Sequence, residues 1–237
     1  MSRSHRVATL GWRVRVRGRW TDRVDPTRPV PASFVRAHTR PVRPLLVPEI
    51  TLLVAADVVA LWEAIEGEQG HPPSEPPFWA AAWPGGQALA RYVLDHPELV
   101  AGRCVLDLGS GSGLVAVAAA LAGARSVVAS EIDPFGQAAI GVNAQLNGVS
   151  GVEAAGDVLD VETSADVVLA GDVCYDRLMT ERVLPFLDAA RARGAEVLVG
   201  DPGRPYLPHG RLAPVYVVDV PDTEGPQVRR TTVWRLP

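Results

Sequence analysis

Val105-Leu106-Asp107-Leu108-Gly109-Ser110-Gly111-Ser112-Gly113 is the stretch that decides the fold. An apolar strand runs into a turn with glycine at every second position, and an acid stands two residues before the first glycine. An ordinary tight turn needs one residue of unusual backbone geometry, not three at alternate positions. Glycine-rich turns between a strand and a helix let a ligand approach the backbone at the positive end of the helix. Gly111, Gly113 and Ala116 alone fit the spacing of a dinucleotide-binding turn. Asp107, however, would set a carboxylate beside a doubly negative pyrophosphate. It suits a ligand that carries a cationic amino acid end.

Outward from this turn the chain alternates regularly. Strands are predicted near 103–108, 126–131, 152–155, 166–170 and 196–200, and helices near 113–122, 134–147 and 177–193. Pro134 after Asp133 is a good helix start, and Gly123 and Asn147-Gly148 are good stops. Such alternation implies an α/β fold: a doubly wound, mostly parallel sheet with helical crossovers on both faces. Residues 214–220 and 228–236 break the rhythm as two apolar-rich strands around a Pro-Asp-Thr-Glu-Gly-Pro turn, which predicts an antiparallel β-hairpin.

Ahead of the body, Ile50, Leu53, Val54, Val58, Leu61, Trp62 and Ile65 follow helical spacing, predicting a helix that ends near Gly67. A Pro-rich linker covers 72–77, and Trp83-Pro84-Gly85-Gly86 leads into a helix through Leu89, Tyr92 and Val93. Residues 48–96 thus read as a helical lead-in to a domain over 44–237. Residues 1–43 hold 11 Arg against two Asp, a net of +9, while the remainder carries −13. This first segment reads as a basic, poorly ordered arm, although Trp12-Arg13-Val14-Arg15-Val16-Arg17 alternates as a strand would. It has no apolar core of a secretory signal.

The chain of 237 residues, 47% hydrophobic, is long enough for one sizeable core, and no apolar run is long enough to span a bilayer. An acidic body favours basic partners such as lysine-bearing protein surfaces and disfavours nucleic acid. Cys104 and Cys174 form neither a disulfide framework nor a metal spacing, so a reduced, cytoplasmic setting is expected. The five histidines also lack metal-ligand spacing, and no metal is expected. Oligomeric state is not legible.

Ligands of open α/β sheets lie outside the carboxyl ends of the strands. At the end of the second strand, Glu131 can accept hydrogen bonds from vicinal ribose hydroxyls, while Asp133 is better placed as a helix cap. At the end of the third, Asp157 could take an adenine amine. Trp83 and Trp79 are aromatic candidates for lining the site or packing in the core, with Trp83 favoured for lining by the loop that follows it. At the fourth strand end stand Asp172 and Tyr175, three apart. They could cap a helix and fill the core, or face the ligand and orient an amine.

With Asp107 included, the D-x-G-x-G-x-G string at 107–113 resembles motif I of the class I S-adenosylmethionine-dependent methyltransferases. That resemblance implies a seven-stranded sheet closed by the hairpin. It also implies S-adenosylmethionine as cofactor, held by Asp107, Gly109, Gly111, Gly113, Glu131, Asp157 and Trp83. Asp172-x-x-Tyr175 is similar to the seven-strand protein-lysine methyltransferases. It lacks the prolines of the Asn/Asp-Pro-Pro-Tyr string that serves planar amides and base amines. Pro48-Glu49-Ile50, the Phe78-Trp79 to Gln87 segment, Gly171–Tyr175, Gly200-Asp201-Pro202-Gly203-Arg204 and Thr232-Val233-Trp234 follow in one order. Together they resemble the electron-transfer flavoprotein β-subunit lysine methyltransferases and their bacterial relatives over residues 34–237. Glu131 departs from that pattern, since relatives often carry Asp.

The resemblance implies a protein substrate with an exposed lysine, the flavoprotein β subunit being the expected one, and catalytic roles for Asp172 and Tyr175. A neutral lysine amine would attack the sulfonium methyl in line, so positioning dominates. Deprotonating the amine at pH 7 costs roughly 4–5 kcal/mol from a reference pKa of about 10.4. A nearby carboxylate makes that harder, so Asp172 reads as a capturing and orienting group and Tyr175 as a channel wall. Methylation of a ribosomal-protein lysine or a small molecule is the alternative within the superfamily. A nicotinamide-dependent oxidoreductase is the alternative outside it.

Overall fold

A computed structural model of the chain describes residues 30–73, 75–221 and 227–237. Most of the basic arm, the Trp12–Arg17 alternation and the Pro-Asp-Thr-Glu-Gly-Pro turn (save Pro221) lie outside the described residues.

Five parallel strands form the sheet from one edge inward: β3 (Cys104–Leu108), β4 (Ser126–Ser130), β5 (Val152–Ala155), β6 (Val167–Gly171) and β7 (Glu196–Asp201). The antiparallel hairpin of β8 (Ala213–Pro221) and β9 (Val228–Arg235) completes seven strands in the order β5-β4-β3-β6-β7-β9-β8. The order reverses at β3, where the chain next to it in space changes from β4 to β6. Ligand crevices form at this kind of switch.

Side chains alternate across the sheet, as the two-residue period of a strand requires. Val105, Val167, Leu169 and Leu198 face a core shared with α3 (Pro84–Asp95), α4 (Leu114–Leu121) and α5 (Pro134–Leu146). Leu106, Val168, Val197 and Val199 face the opposite core with Val183, Phe186 and Leu187 of α6 (Arg177–Ala192). Each buried Leu or Val contributes roughly 1.5–3 kcal/mol. The Asp133 side chain accepts from Phe135 N, and Pro134 occupies the first turn of α5, as its sequence signal predicts.

The lead-in departs from the expected single helix. Leu52-Leu53-Val54-Ala55 forms a strand, β2, with all four residues buried. It pairs antiparallel with β1 (Thr39–Val42). The helix, α2 (Val58–Gln69), starts only after Asp57, whose carboxylate accepts from Val59 N and Ala60 N. It runs through Gly67 and ends at Gly70, whose φ of 78° is the left-handed cap geometry. A short apolar run fits helix and strand spacing equally, and here the uninterrupted burial of β2 decided the outcome. The segment expected as part of an irregular arm up to residue 43 also contains α1 (Ala32–His38) and β1. Phe34 of α1 packs against Phe135 of α5 with ring centroids 4.8 Å apart.

Asn143 of α5 and Asn147, the residue that caps its end, hold this hairpin, and Asn143 also reaches the glycine turn. Asn147 Oδ1 accepts from Thr51 N (2.8 Å), and Asn143 Oδ1 accepts from Leu53 N (2.9 Å). Asn143 Nδ2 donates to Ser112 O at 2.7 Å. Asn143 is fully buried, so Asn143→Ala leaves a buried donor and a buried acceptor without partners, each costing about 1–3 kcal/mol. The expected outcome is a clear fall in the urea midpoint with an unchanged slope. An unchanged midpoint would show that water replaces both bonds.

Candidate active site

The turn after β3 needs its glycines. Gly109, Gly111 and Gly113 have φ of 66°, 55° and 84°, where a side chain is strained. A Cβ on Gly113 would also press on Ile140 at 3.3 Å, and one on Gly109 on Val173 at 3.0 Å. The bare backbone of Gly109 and Gly111 then forms one wall of a cavity of about 340 Å³ at the carboxyl ends of β3, β4 and β6. Leu108, Ile132 and Leu159 supply apolar lining, and Glu131, Asp157, Asp172 and Tyr175 also line it.

Asp107 and Gly113 do not reach this lining. Asp107 is buried behind the turn, where its Oδ2 accepts from Ser110 Oγ (2.6 Å) and Ala116 N (3.0 Å). Its carboxylate is thus turned to donors of its own loop and helix start, away from the cavity lining. Charge at a buried strand end finds nearer donors in its own loop and in the first turn of α4. Burial pushes the Asp107 carboxyl up to about 7, against the pull of these two bonds. Gly113 likewise packs under the turn, on Ile140 of α5.

Glu131 sits where the strand-end reading put it. Its Oε2 accepts from Gly111 N and its Oε1 from Asp133 N, each at 2.9 Å. Glu131 therefore holds the glycine turn open while lining the cavity, and burial raises its pKa. Each oxygen keeps a second lone pair for a ligand hydroxyl. Asp157 is less free: Oδ1 accepts from Leu159 N, and Oδ2 pairs with Arg182 at 2.7 Å. Each acid combines a local bond, from an N–H of the turn that follows its strand, with a distant partner, Gly111 for Glu131 and Arg182 for Asp157.

Asp172 is the one described residue other than glycine with positive φ, 60°. Its Oδ2 accepts from Gly86 N at 2.7 Å, and its Oδ1 pairs with Arg204 at 2.5 Å. Helix α3 has no side-chain cap of its own at Trp83, so Asp172 caps it from the end of β6. Arg204 also reaches Asp201 Oδ2 at 3.3 Å. Burial raises the Asp172 pKa, with Arg204 and the Gly86 N–H opposing. The sequence singled out the Gly200–Arg204 string without a role for Arg204. No spacing rule pairs residues 32 positions apart.

Three rings stand at the cavity rim, Phe78, Trp83 and Tyr175, each 40% exposed. Phe78 lies 5.9 Å from Trp83 and 5.8 Å from Tyr175 by ring centroids. Trp83 Nε1 donates to Phe78 O at 2.7 Å, fixing the wall. Trp79, in contrast, is buried in the core with Phe34 and Phe135. Partial burial, chiefly, raises the Tyr175 hydroxyl to about 12, so it is neutral near pH 7. Phe78 and Glu75 are lining residues that sequence reasoning missed. Their signal was the Pro-rich loop itself, which the sequence reading took as a linker.

Backbone crowding holds this end together. A Cβ on Gly85 would overlap the carbonyl oxygen of Gly200, and one on Gly171 would lie 2.9 Å from Gly86 Cα. Gly85→Ala is expected to displace α3 and remove the Gly86–Asp172 bond, lowering the melting temperature and abolishing ligand affinity together. Retention of both would refute the contact. The Asp107 pKa gives a second expectation. A carboxyl raised from 3.8 to about 7 stabilises the fold fully below the lower value, and this is lost as pH rises through the upper. The ligand-free protein should therefore lose melting temperature between about pH 4 and 7, with Glu131, Asp133 and Asp172 shifted in the same direction. Asp107→Asn should flatten that slope in a pH series of thermal melts; an equal slope would count against it.

The model of the ribosomal protein L11 methyltransferase family matches residues 88–174, from α3 through the glycine turn to the end of β6. Among solved structures, TrmN from Thermus thermophilus superposes with a TM-score of 0.50 at 19% identity, covering 75% of this chain and 66% of that one, which shows the fold. The electron transfer flavoprotein beta subunit lysine methyltransferase of Danio rerio is 38% identical over 200 residues, 80% of this chain and 76% of that protein. That of Xenopus laevis is 36% identical over 214 residues, 86% of each. The likeness runs through both halves of the cavity, and the chain belongs to the family of electron transfer flavoprotein beta subunit lysine methyltransferases.

Proposed function

We propose that the chain transfers methyl groups from S-adenosylmethionine to a lysine of the electron-transfer flavoprotein β subunit. The observation that carries this reading is one cavity lined at one end by Gly109, Gly111 and Glu131 and at the other by Asp172, Tyr175 and Trp83. Family membership supports the chemistry, and the L11 methyltransferase match covers the half of the site that such enzymes would share. It ends before Tyr175 and Arg204, so it favours no ribosomal target. The relatives described above are methyltransferases, which favours methyl transfer over the nicotinamide-dependent alternative.

The residues present fit S-adenosylmethionine. Gly109 and Gly111 leave room along the backbone, Glu131 would accept from ribose hydroxyls, and Leu108, Ile132 and Leu159 would offer an apolar slot to the adenine. Asp157 stands at the same end, and Asp107 acts from behind by fixing Ser110 and the start of α4. When bound, the cofactor supplies an electrophilic methyl group on a sulfonium.

The substrate lysine passes the Phe78, Trp83 and Tyr175 rings, whose faces attract an ammonium group. Its amine is directed at the Asp172 end. A lone carboxylate there would hold the amine protonated. Arg204 offsets this by pairing with Asp172, so the amine can lose its proton more cheaply than beside an unpaired acid. Tyr175, neutral and fixed, shapes the channel. A cytoplasmic setting suits the two free thiols, Cys104 and Cys174.

The test is to incubate purified electron-transfer flavoprotein of the same host with the enzyme and S-adenosylmethionine, and to weigh the β subunit intact. Mass gains in methyl-sized steps are expected. Asp172→Asn keeps an acceptor for Gly86 N–H but not the charge, so turnover should fall about 10²-fold or more while S-adenosylhomocysteine still binds. No mass gain from a wild-type enzyme that binds S-adenosylhomocysteine would overturn the flavoprotein assignment. Loss of cofactor affinity in Asp172→Asn would overturn the role given to Asp172.

A further inference from the structure

A second groove, of about 640 Å³, lies across the aromatic wall from the first cavity. The two share Phe78, Trp83 and Arg204, so only the wall divides them. The size is that of a ligand cleft. Five prolines line it, Pro76, Pro77, Pro84, Pro202 and Pro221. Prolines offer no N–H and little flexibility, which stiffens the walls of the groove.

Its polar groups have a definite sign. Arg40 on β1 and Arg229 on β9 line the groove and are exposed, and neither has a carboxylate partner among the described residues. Some arginines on other faces are paired with acids, Arg91 with Glu49 and Asp95, Arg211 with Asp188, and Arg235 with Glu196, whereas both groove guanidiniums are open to an incoming group. Gln87, 1% exposed, also lines the groove. Its Nε2 donates to Ala82 O, but its Oε1 has no partner.

We propose that this groove docks the stretch of substrate protein adjoining the target lysine, as an extended segment whose Asp or Glu side chain pairs with Arg40 and Arg229. The inference rests on the lysine methyltransferase reading and adds a sequence requirement to it. Continuity with the cavity places the segment next to the lysine, and two unpaired guanidiniums select a carboxylate. The net acidity of the chain does not extend to this rim. The proline-lined walls accept its apolar side chains.

The experiment uses Arg40→Glu/Arg229→Glu, two exposed changes that should leave the melting temperature and S-adenosylhomocysteine affinity unaltered. Purified flavoprotein is the probe, with methylation rates measured at low and raised salt. The double variant should lose about tenfold or more in kcat/KM through KM, with kcat unchanged. Wild-type KM should rise with salt and that of the variant should not. Equal kcat/KM for wild type and variant, on a substrate that the wild type methylates, would overturn the groove and leave the function standing. A wild type that binds S-adenosylhomocysteine but methylates no lysine of the flavoprotein would overturn the functional reading and the groove with it.

Discussion

The structure turns on a backbone contact that tolerates no side chain. Gly85 and Gly86 at the start of α3 lie against Gly171 at the end of β6 and Gly200 in β7. Close approach brings the Gly86 N–H to Asp172, and the Asp172 N–H itself donates to Gly200 O at 2.8 Å. The helix start, two strand ends and the residue between them become one unit. Arg204, on the loop after β7, closes the unit by pairing with Asp172. The aromatic wall is attached to it, because Trp83 immediately precedes α3. The substrate end of the cavity is therefore built from tertiary contacts, where the cofactor end is built from one local turn.

This difference explains what could be read in advance. The sheet, its three large crossover helices and the closing hairpin were legible because each rests on local pattern and punctuation, such as Asp133-Pro134. Residues 107–113 were legible as a ligand turn for the same reason. The partners of Asp107 were not legible, because charge alone says that an acid is near a ligand, not that Ser110 and Ala116 will meet its carboxylate. The β1–β2 hairpin was missed because Leu52–Ala55 fits two periods, and its partner strand lay in a segment dominated by arginine.

The candidate site shows the same division. Glu131 and Asp157 were found by looking beyond strand ends, a rule that depends on topology alone. Arg204 and Phe78 come to the cavity through loops, and no periodicity reports where a loop goes. The strings Trp-Pro-Gly-Gly-Gln and Gly-Asp-Pro-Gly-Arg stood out in the sequence, and the structure gives the reason: they are the two sides of the glycine contact. Gln87 and Arg204 end these strings, and each belongs to the groove beside the aromatic wall.

The left-handed backbone of Asp172 has an evolutionary consequence. Only glycine, asparagine and aspartate sit at such a φ with little strain. Glycine would surrender both the helix cap and the partner of Arg204, and asparagine would surrender the charge. Each other side chain meets the backbone penalty before its own chemistry is tried. Neutral drift at this position therefore has almost nowhere to go, and a lineage that changes it must rebuild the loop of Arg204 at the same time.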